Sequence, residues 1–222
     1  MQLFTFWRSM ATFRVRIAMN IKGLKADPFY VDLMKGHQAQ TEFRAINPAM
    51  AVPALVDDDG TVLTQSTAII EYLDERWPSP PLLPTDPAGR ARVRALAQIT
   101  VADSHPLSVP RIRKYLAQEL RASDQQIVGW ARKWQKDGLD AYETLLAGNT
   151  ATGDFCHGDK PGLADICLAS HCTGTVFFYG GTIDGHPTVK RIYERCMADE
   201  RFSSAHPKRM PVPLVTAQSS AT

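Results

Sequence analysis

Two serines in the first third of the chain stand where a helix begins. Ser9 lies between the apolar run QLFTF (2–6) and a helical repeat of Phe13, Ile17 and Ile21, and Ser66 precedes Ile69, Ile70, Leu73 and Trp77. The first backbone N–H groups of a helix have no partner inside it, so a hydroxyl at that point shares a small volume with several free donors. Such a volume receives an anion. The same residue type is also a plain N-cap, accepting from an N–H one turn on, and both readings stand for each serine. Thiol exchange by the protein itself is not indicated, because there is no C-x-x-C pair. Cys156, Cys167, Cys172 and Cys196 are confined to the second half at unremarkable spacing and read as buried free thiols. No metal ligand set is assigned.

The elements that must position these groups follow from the hydrophobic period. QLFTF reads as a strand, and the helix after Ser9 runs to Gly23. PFYVDL (28–33) reads as a buried strand and QAQTEFRAIN (38–47) as a short helix stopped by Pro48. VPALVDDDGTVL (52–63) holds two apolar runs around Asp58-Asp59-Gly60, a hairpin signal, before the helix that Ser66 opens as its N-cap. The first ~77 residues therefore read βαβαββα. Pro78, Pro80, Pro81, Pro84 and Pro87 then exclude both helix and central strand, and mark a boundary. Beyond it the pattern is helical: 88–118, bent or split at Pro106 and Pro110, then 123–147, 162–178 and 187–198. The predicted architecture is an α/β domain over 1–80, an all-α domain over 88–206, and a flexible tail over 207–222.

Length and composition bound the function. A chain of 222 residues makes one large or two small domains, and 25 Lys+Arg against 23 Asp+Glu leave a formal charge of +2. That balance provides no field to attract nucleic acid or an anionic membrane, and no apolar run is long enough to span one. Arg90, Arg92 and Arg94 read as a solvated or subunit-facing stripe. The N-terminus, interrupted by Arg8, Arg14 and Arg16, does not read as an export signal, so a cytoplasmic location is expected.

With these elements in this order, the sequence resembles the glutathione S-transferases, whose N-terminal domain is thioredoxin-like. Val52-Pro53 and Gln65-Ser66 carry the general resemblance. Phe6-Trp7-Arg8-Ser9 leading into Arg14-Val15-Arg16-Ile17-Ala18, with DSHPLSVPRIRKYL (103–116), narrows it to the zeta class, which includes maleylacetoacetate and maleylpyruvate isomerases. The resemblance implies glutathione as cosubstrate or catalytic cofactor, a small electrophile as its partner, and a homodimer. It assigns Ser9 to the thiolate, the backbone of Val52 and Pro53 to the cysteinyl unit, and Gln65 and Ser66 to the γ-glutamyl carboxylate. His37 and Gln38 fall near the place of the glycine end. In the family the proline is cis; a trans proline opening a strand is the alternative from sequence.

Holding a thiol of pKa ~8.5 as a thiolate of pKa ~6.5 requires roughly 2.7 kcal/mol. A hydrogen bond to a charged group supplies ~1.5–3 kcal/mol and a helix end ~0.3–1 kcal/mol, so Ser9 and its helix suffice without a protein base. The family's Ser-Ser-Cys reads Ser9-Met10-Ala11 here, which removes the cysteine.

For the electrophile, the resemblance implies Arg8, His105 and Arg111, whose planar donors suit carboxylates. Solvated charge for the arginines and a helix-bend cap for His105 are the alternatives. An arginine that grips substrate carboxylate in the family is replaced by Phe177, which implies a less acidic substrate. Asp165 matches the family's capping box, with Gly162 in place of Ser or Thr. Three functions follow as expectations: cis-trans isomerisation of a maleyl-type acid, general glutathione conjugation, and a non-catalytic binding module on the same fold.

Overall fold

The computed structural model describes residues 1–211. Strand β1 (Gln2–Thr5) leads into helix α1 (Met10–Lys22), and β2 (Asp27–Tyr30) lies parallel to β1, giving a βαβ crossover. A 3-10 turn (His37–Ala39) and the short helix α2 (Thr41–Ile46) follow. The hairpin β3 (Ala54–Val56) and β4 (Val62–Thr64) then pairs antiparallel, and helix α3 (Ser66–Arg76) closes the unit. Strand order is β2-β1-β3-β4, with Phe4 opposite both Phe29 and Ala54. The predicted βαβαββα order is the one observed. The helix expected over 38–47 is divided into a 3-10 turn and α2.

Local chemistry explains the boundaries. Ser9 caps α1 by accepting from the Thr12 N–H at 3.1 Å. Gly23 ends the helix at φ 67°, a left-handed turn that glycine adopts without a Cβ penalty. The sheet buries Leu3 and Leu55 against Phe13, Ile17, Ile69, Ile70 and Leu73 of α1 and α3. Phe4, Val31, Phe43, Val52 and Ala54 fill its other face. Lys22, buried at the end of α1, donates to Asp74 and to the carbonyls of Trp77 and Pro80, which fastens the proline-rich linker onto the first domain.

Pro87 belongs to the second domain, as the first residue of α4 (Pro87–Gln98), which Asp86 caps through the Gly89 N–H at 2.7 Å. The segment expected as one bent helix is four pieces: α4, a π-helical turn (Ile99–Ser104), a 3-10 turn (His105–Leu107) and α5 (Pro110–Gln118). Helices α6 (Asp124–Leu146), α7 (Leu163–Phe178) and α8 (Pro187–Ala198) match their predicted spans, and the short α9 (Glu200–Ser203) was not anticipated. α7 is buried all round as far as Thr175 and packs against α1, α4, α6 and α8, so one core runs through both domains. Asp165 accepts from Gly162 N–H at 2.9 Å and Cys156 N–H at 2.7 Å, completing the expected box.

Two expectations are corrected. The arginine stripe, expected as solvated or subunit-facing, is half-buried and bonded within the chain: Arg94 pairs with Glu71 of α3 at 2.6 Å, while Arg92 donates to the Cys156 carbonyl and the Thr152 hydroxyl. Residues 207–209 of the expected tail form a 3-10 turn with Pro207 buried, and residues 212–222 lie outside the described part.

Candidate active site

The two domains face each other across a cavity of about 320 Å³, at the small end of the range for small-molecule sites. Its N-terminal wall is made where three elements begin: Ser9 at α1, Val52-Pro53 entering β3, and Gln65-Ser66 at α3. The Val52-Pro53 peptide bond is cis. Since the Ser9 oxygen accepts from Thr12 N–H, the hydroxyl proton remains available for an anion in the cavity.

Gln65, rather than Ser66, is the N-cap residue of α3, and it holds φ 68°, ψ 122°. A glutamine in that region carries backbone strain of about 1–3 kcal/mol, the kind of distortion that collects at binding sites. Ser66 is the first helical residue. Its hydroxyl accepts from Nε of Arg14 at 3.0 Å instead of capping the helix.

Arg14 was legible only as part of a family motif, and its place is unexpected. It is 2% exposed, reaches the Ser170 hydroxyl of α7 at 3.3 Å, and has no carboxylate partner among the described residues. Burial lowers its pKa, yet a guanidinium remains cationic at neutral pH. A cation buried against two hydroxyls alone is costly, and Arg14 also lines the cavity, where an anion would compensate it.

On the same wall, Gln38 presents a buried side-chain oxygen that lacks a partner, while His37 does not line the cavity. Arg8 stands beside Ser9 on this wall, while the opposite, helical wall brings His105 and Arg111 to the same cavity, as the sequence implied, and adds Val109, Arg113, Phe178 and Tyr179. The Arg8 guanidinium lies 5.5 Å from the ring centre of Trp7 and 4.9 Å from that of Phe178, a stacked position that fixes its direction.

Protein packed around His105 lowers its pKa well below the usual value, helped by the charges of Arg14 and Arg111 and by His171. It is neutral at pH 7 and offers a hydrogen bond in place of a charge. A buried polar network supports it from behind. Ser108 donates to the His105 carbonyl at 3.1 Å, and Gln135 donates to Ser108 at 3.2 Å while accepting from Thr175 at 3.1 Å.

Phe177 does not stand in the cavity. Its ring meets His206 edge-on at 5.0 Å, and the Lys208 ammonium sits 4.0 Å above it. The α7 aromatic that faces the site is Phe178, one residue later and about 100° further round the helix. The inference of a less acidic substrate from Phe177 loses its basis.

The cavity is lined by four guanidiniums, those of Arg8, Arg14, Arg111 and Arg113, and by no carboxylate. No group of metal-binding side chains occurs among the described residues. No helix among them is long and apolar enough to cross a membrane. All four cysteines are buried and free, and burial pushes the Cys172 thiol up and the Cys167 thiol up to about 11, so neither is a nucleophile at neutral pH.

Comparison with known proteins agrees with this arrangement. The glutathione S-transferase N-terminal domain family matches residues 9–76, and the C-terminal domain family matches residues 98–200. The chain is 40% identical over 211 residues to a maleylpyruvate isomerase of a Ralstonia species, covering 95% of this chain and 99% of that one. It is 39% identical to the maleylacetoacetate isomerase of Pseudomonas aeruginosa over 95% and 98% of the two chains. Among solved structures, a maleylacetoacetate isomerase from Methylobacterium extorquens AM1 with bound malonate and glutathione superposes at TM-score 0.92. It is 44% identical, over 95% of this chain and 98% of that one. A holo maleylpyruvate isomerase, described as a bacterial zeta-class enzyme, superposes at TM-score 0.91 with 39% identity over 95% and 99%.

Proposed function

The chain belongs to the glutathione S-transferase family, and on that premise we propose that it is a zeta-class, glutathione-dependent isomerase that converts a maleyl-type cis acid into its trans isomer. The observation that carries the reading is the cavity's charge: four guanidiniums, no carboxylate, and a free hydroxyl at a helix start. Glutathione held as a thiolate brings about −2 and a maleyl-type diacid about −2 more, which four guanidiniums balance.

The residues present fit the tripeptide. Gln38 has an unmet polar atom for one end, and Ser66, backed by Arg14, has a hydroxyl beside free helix N–H groups for the carboxylate at the other. Val52 and Pro53 provide the strand edge between them. When bound, glutathione supplies a sulfur nucleophile that adds to a conjugated cis double bond and leaves again after rotation about it. Ser9 donates its hydroxyl proton in a hydrogen bond to that sulfur and keeps it ionised. Arg8 and Arg111 hold substrate carboxylate and offset the charge that develops on its carbonyl oxygen. His105, neutral, donates or accepts one hydrogen bond at the same place.

This assignment favours isomerisation over conjugation, because a cavity so rich in unpaired cations suits an acid better than a neutral electrophile. A homodimer and a cytoplasmic location complete the reading, the latter supported by the four free cysteines and by dependence on a reduced thiol. Sedimentation at several concentrations tests the dimer.

The activity is tested by mixing the protein with maleylpyruvate or maleylacetoacetate and a trace of glutathione. Product far in excess of the glutathione supplied is expected; one thiol consumed per product identifies a conjugating transferase instead. The Ser9→Ala variant is expected to shift the acid limb of the activity profile to higher pH by about one to two units, since the lost hydrogen bond stabilised the thiolate. An unmoved limb assigns thiolate stabilisation to another group.

A further inference from the structure

Arg8 and Arg111 serve the substrate in the reading above and Arg14 stands behind Ser66, which leaves one cavity guanidinium without a role. Arg113 lies on α5, on the same wall as Pro106, Val109 and Pro110. Its Nε is shut off from solvent and has no hydrogen-bond partner. It forms no ion pair among the described residues. An ordinary surface arginine keeps its head in water, whereas this one is half-buried, lines the cavity and holds one dry, unpartnered donor.

The surroundings sharpen the point. α5 carries Arg111 and Arg113 in its first half and no acid in its first turn, the wrong sign for the positive end of a helix. Neither arginine pairs with an acid among the described residues, so the charge there is left for an external anion to offset. At the facing end of α7 the helix itself offers Phe178 and Tyr179 to the cavity, and the cation on that side is Arg8, which is stacked on Phe178.

We infer that Arg113 determines substrate specificity: it binds the second carboxylate of the acid and makes the site selective for dianions over monoanions. The inference rests on the acid-isomerase reading above. It is distinct from it, because that reading assigns the substrate to Arg8 and Arg111 and gives Arg113 no part.

Malonate and acetate, titrated into the protein saturated with glutathione, provide the test. The native protein is expected to bind malonate more tightly than acetate. Arg113→Met is expected to weaken malonate about ten-fold or more, with acetate and glutathione affinities within about two-fold of native. Arg113→Lys, which keeps the charge but not the planar fork, is expected to show the same ranking at smaller amplitude. Equal malonate affinity in native protein and Arg113→Met overturns the role of Arg113 and leaves the isomerase reading intact. Parallel loss of malonate and glutathione binding in the variant means a structural role and likewise overturns it. A native protein that binds no diacid and isomerises none overturns the reading beneath it and the inference together.

Discussion

The two walls of the cavity are built by different means. On the thioredoxin-like wall the binding groups are set by the backbone: two helix starts at Ser9 and Ser66, the strand entry at Val52-Pro53, and the positive φ of Gln65. On the helical wall they are side-chain heads, those of His105, Arg111 and Arg113; the two arginines make no ion pair among the described residues, and the polar network around Gln135 braces His105. Backbone groups cannot be exchanged by point substitution, and side-chain heads can. The first wall therefore has its groups placed by local backbone geometry, and the second by which side chains its helices carry.

The contrast can be broken at its base. If the walls belonged to independently stable units, Asp165→Ala in the helical domain would leave the thioredoxin-like domain folded. α7 packs directly on α1, and loss of Asp165 strands the N–H groups of Cys156 and Gly162. We expect one cooperative transition, destabilised by about 4 kcal/mol, in urea unfolding followed by far-UV dichroism and tryptophan fluorescence. Two separated transitions would show that the walls are separate units after all.

A smaller effect is expected where the walls meet. Arg14 on α1 reaches both Ser66 of α3 and Ser170 of α7. Arg14→Met removes a buried cation that has no counter-charge, so the melting temperature should hold or rise while glutathione affinity drops about ten-fold or more, a loss of ~1.5–3 kcal/mol. Calorimetric titration alongside thermal melting measures both. A variant that loses stability and keeps affinity would make Arg14 a packing residue.

The smallest effect isolates backbone from side chain on the first wall. Gln65→Gly relieves the positive φ and should stabilise the protein by about 1 kcal/mol, while glutathione affinity falls by a few-fold through loss of the side chain. Unchanged affinity would assign the whole contribution of that position to its main chain.

The same contrast explains what the sequence revealed. Strands and helices of the first domain were legible because apolar period, Gly23 and the Asp-Gly turn all act locally. Ser9 and Ser66 were visible as hydroxyls at helix starts for the same reason. The partner of Ser66 was not, since Arg14 is 52 residues away along the chain and only tertiary packing turns it inward. The fourfold division of 87–118 was half visible: Pro106 and Pro110 signal breaks, but nothing in the residues announces a π-turn. Phe177 and Phe178 show the limit of reading by position. A single step along α7 decides which ring enters the cavity, and that depends on where the helix ends. Arg92 and Arg94 looked solvated because their acceptors, the Cys156 carbonyl and Glu71, are distant in sequence. Arg113 is invisible as a site residue without the cavity, because arginines on a helix are usually solvent-facing.

The π-turn at Ile99–Ser104 carries one residue more than an α-helical turn would, and it lies immediately ahead of His105. Excising a single residue there would let α4 continue in phase and swing everything downstream by about 100° before α5 begins. His105, Arg111 and Arg113 would then be carried off the cavity together, with every side chain chemically unchanged. The spare residue thus works as a phase shifter, setting the direction in which three cavity side chains face.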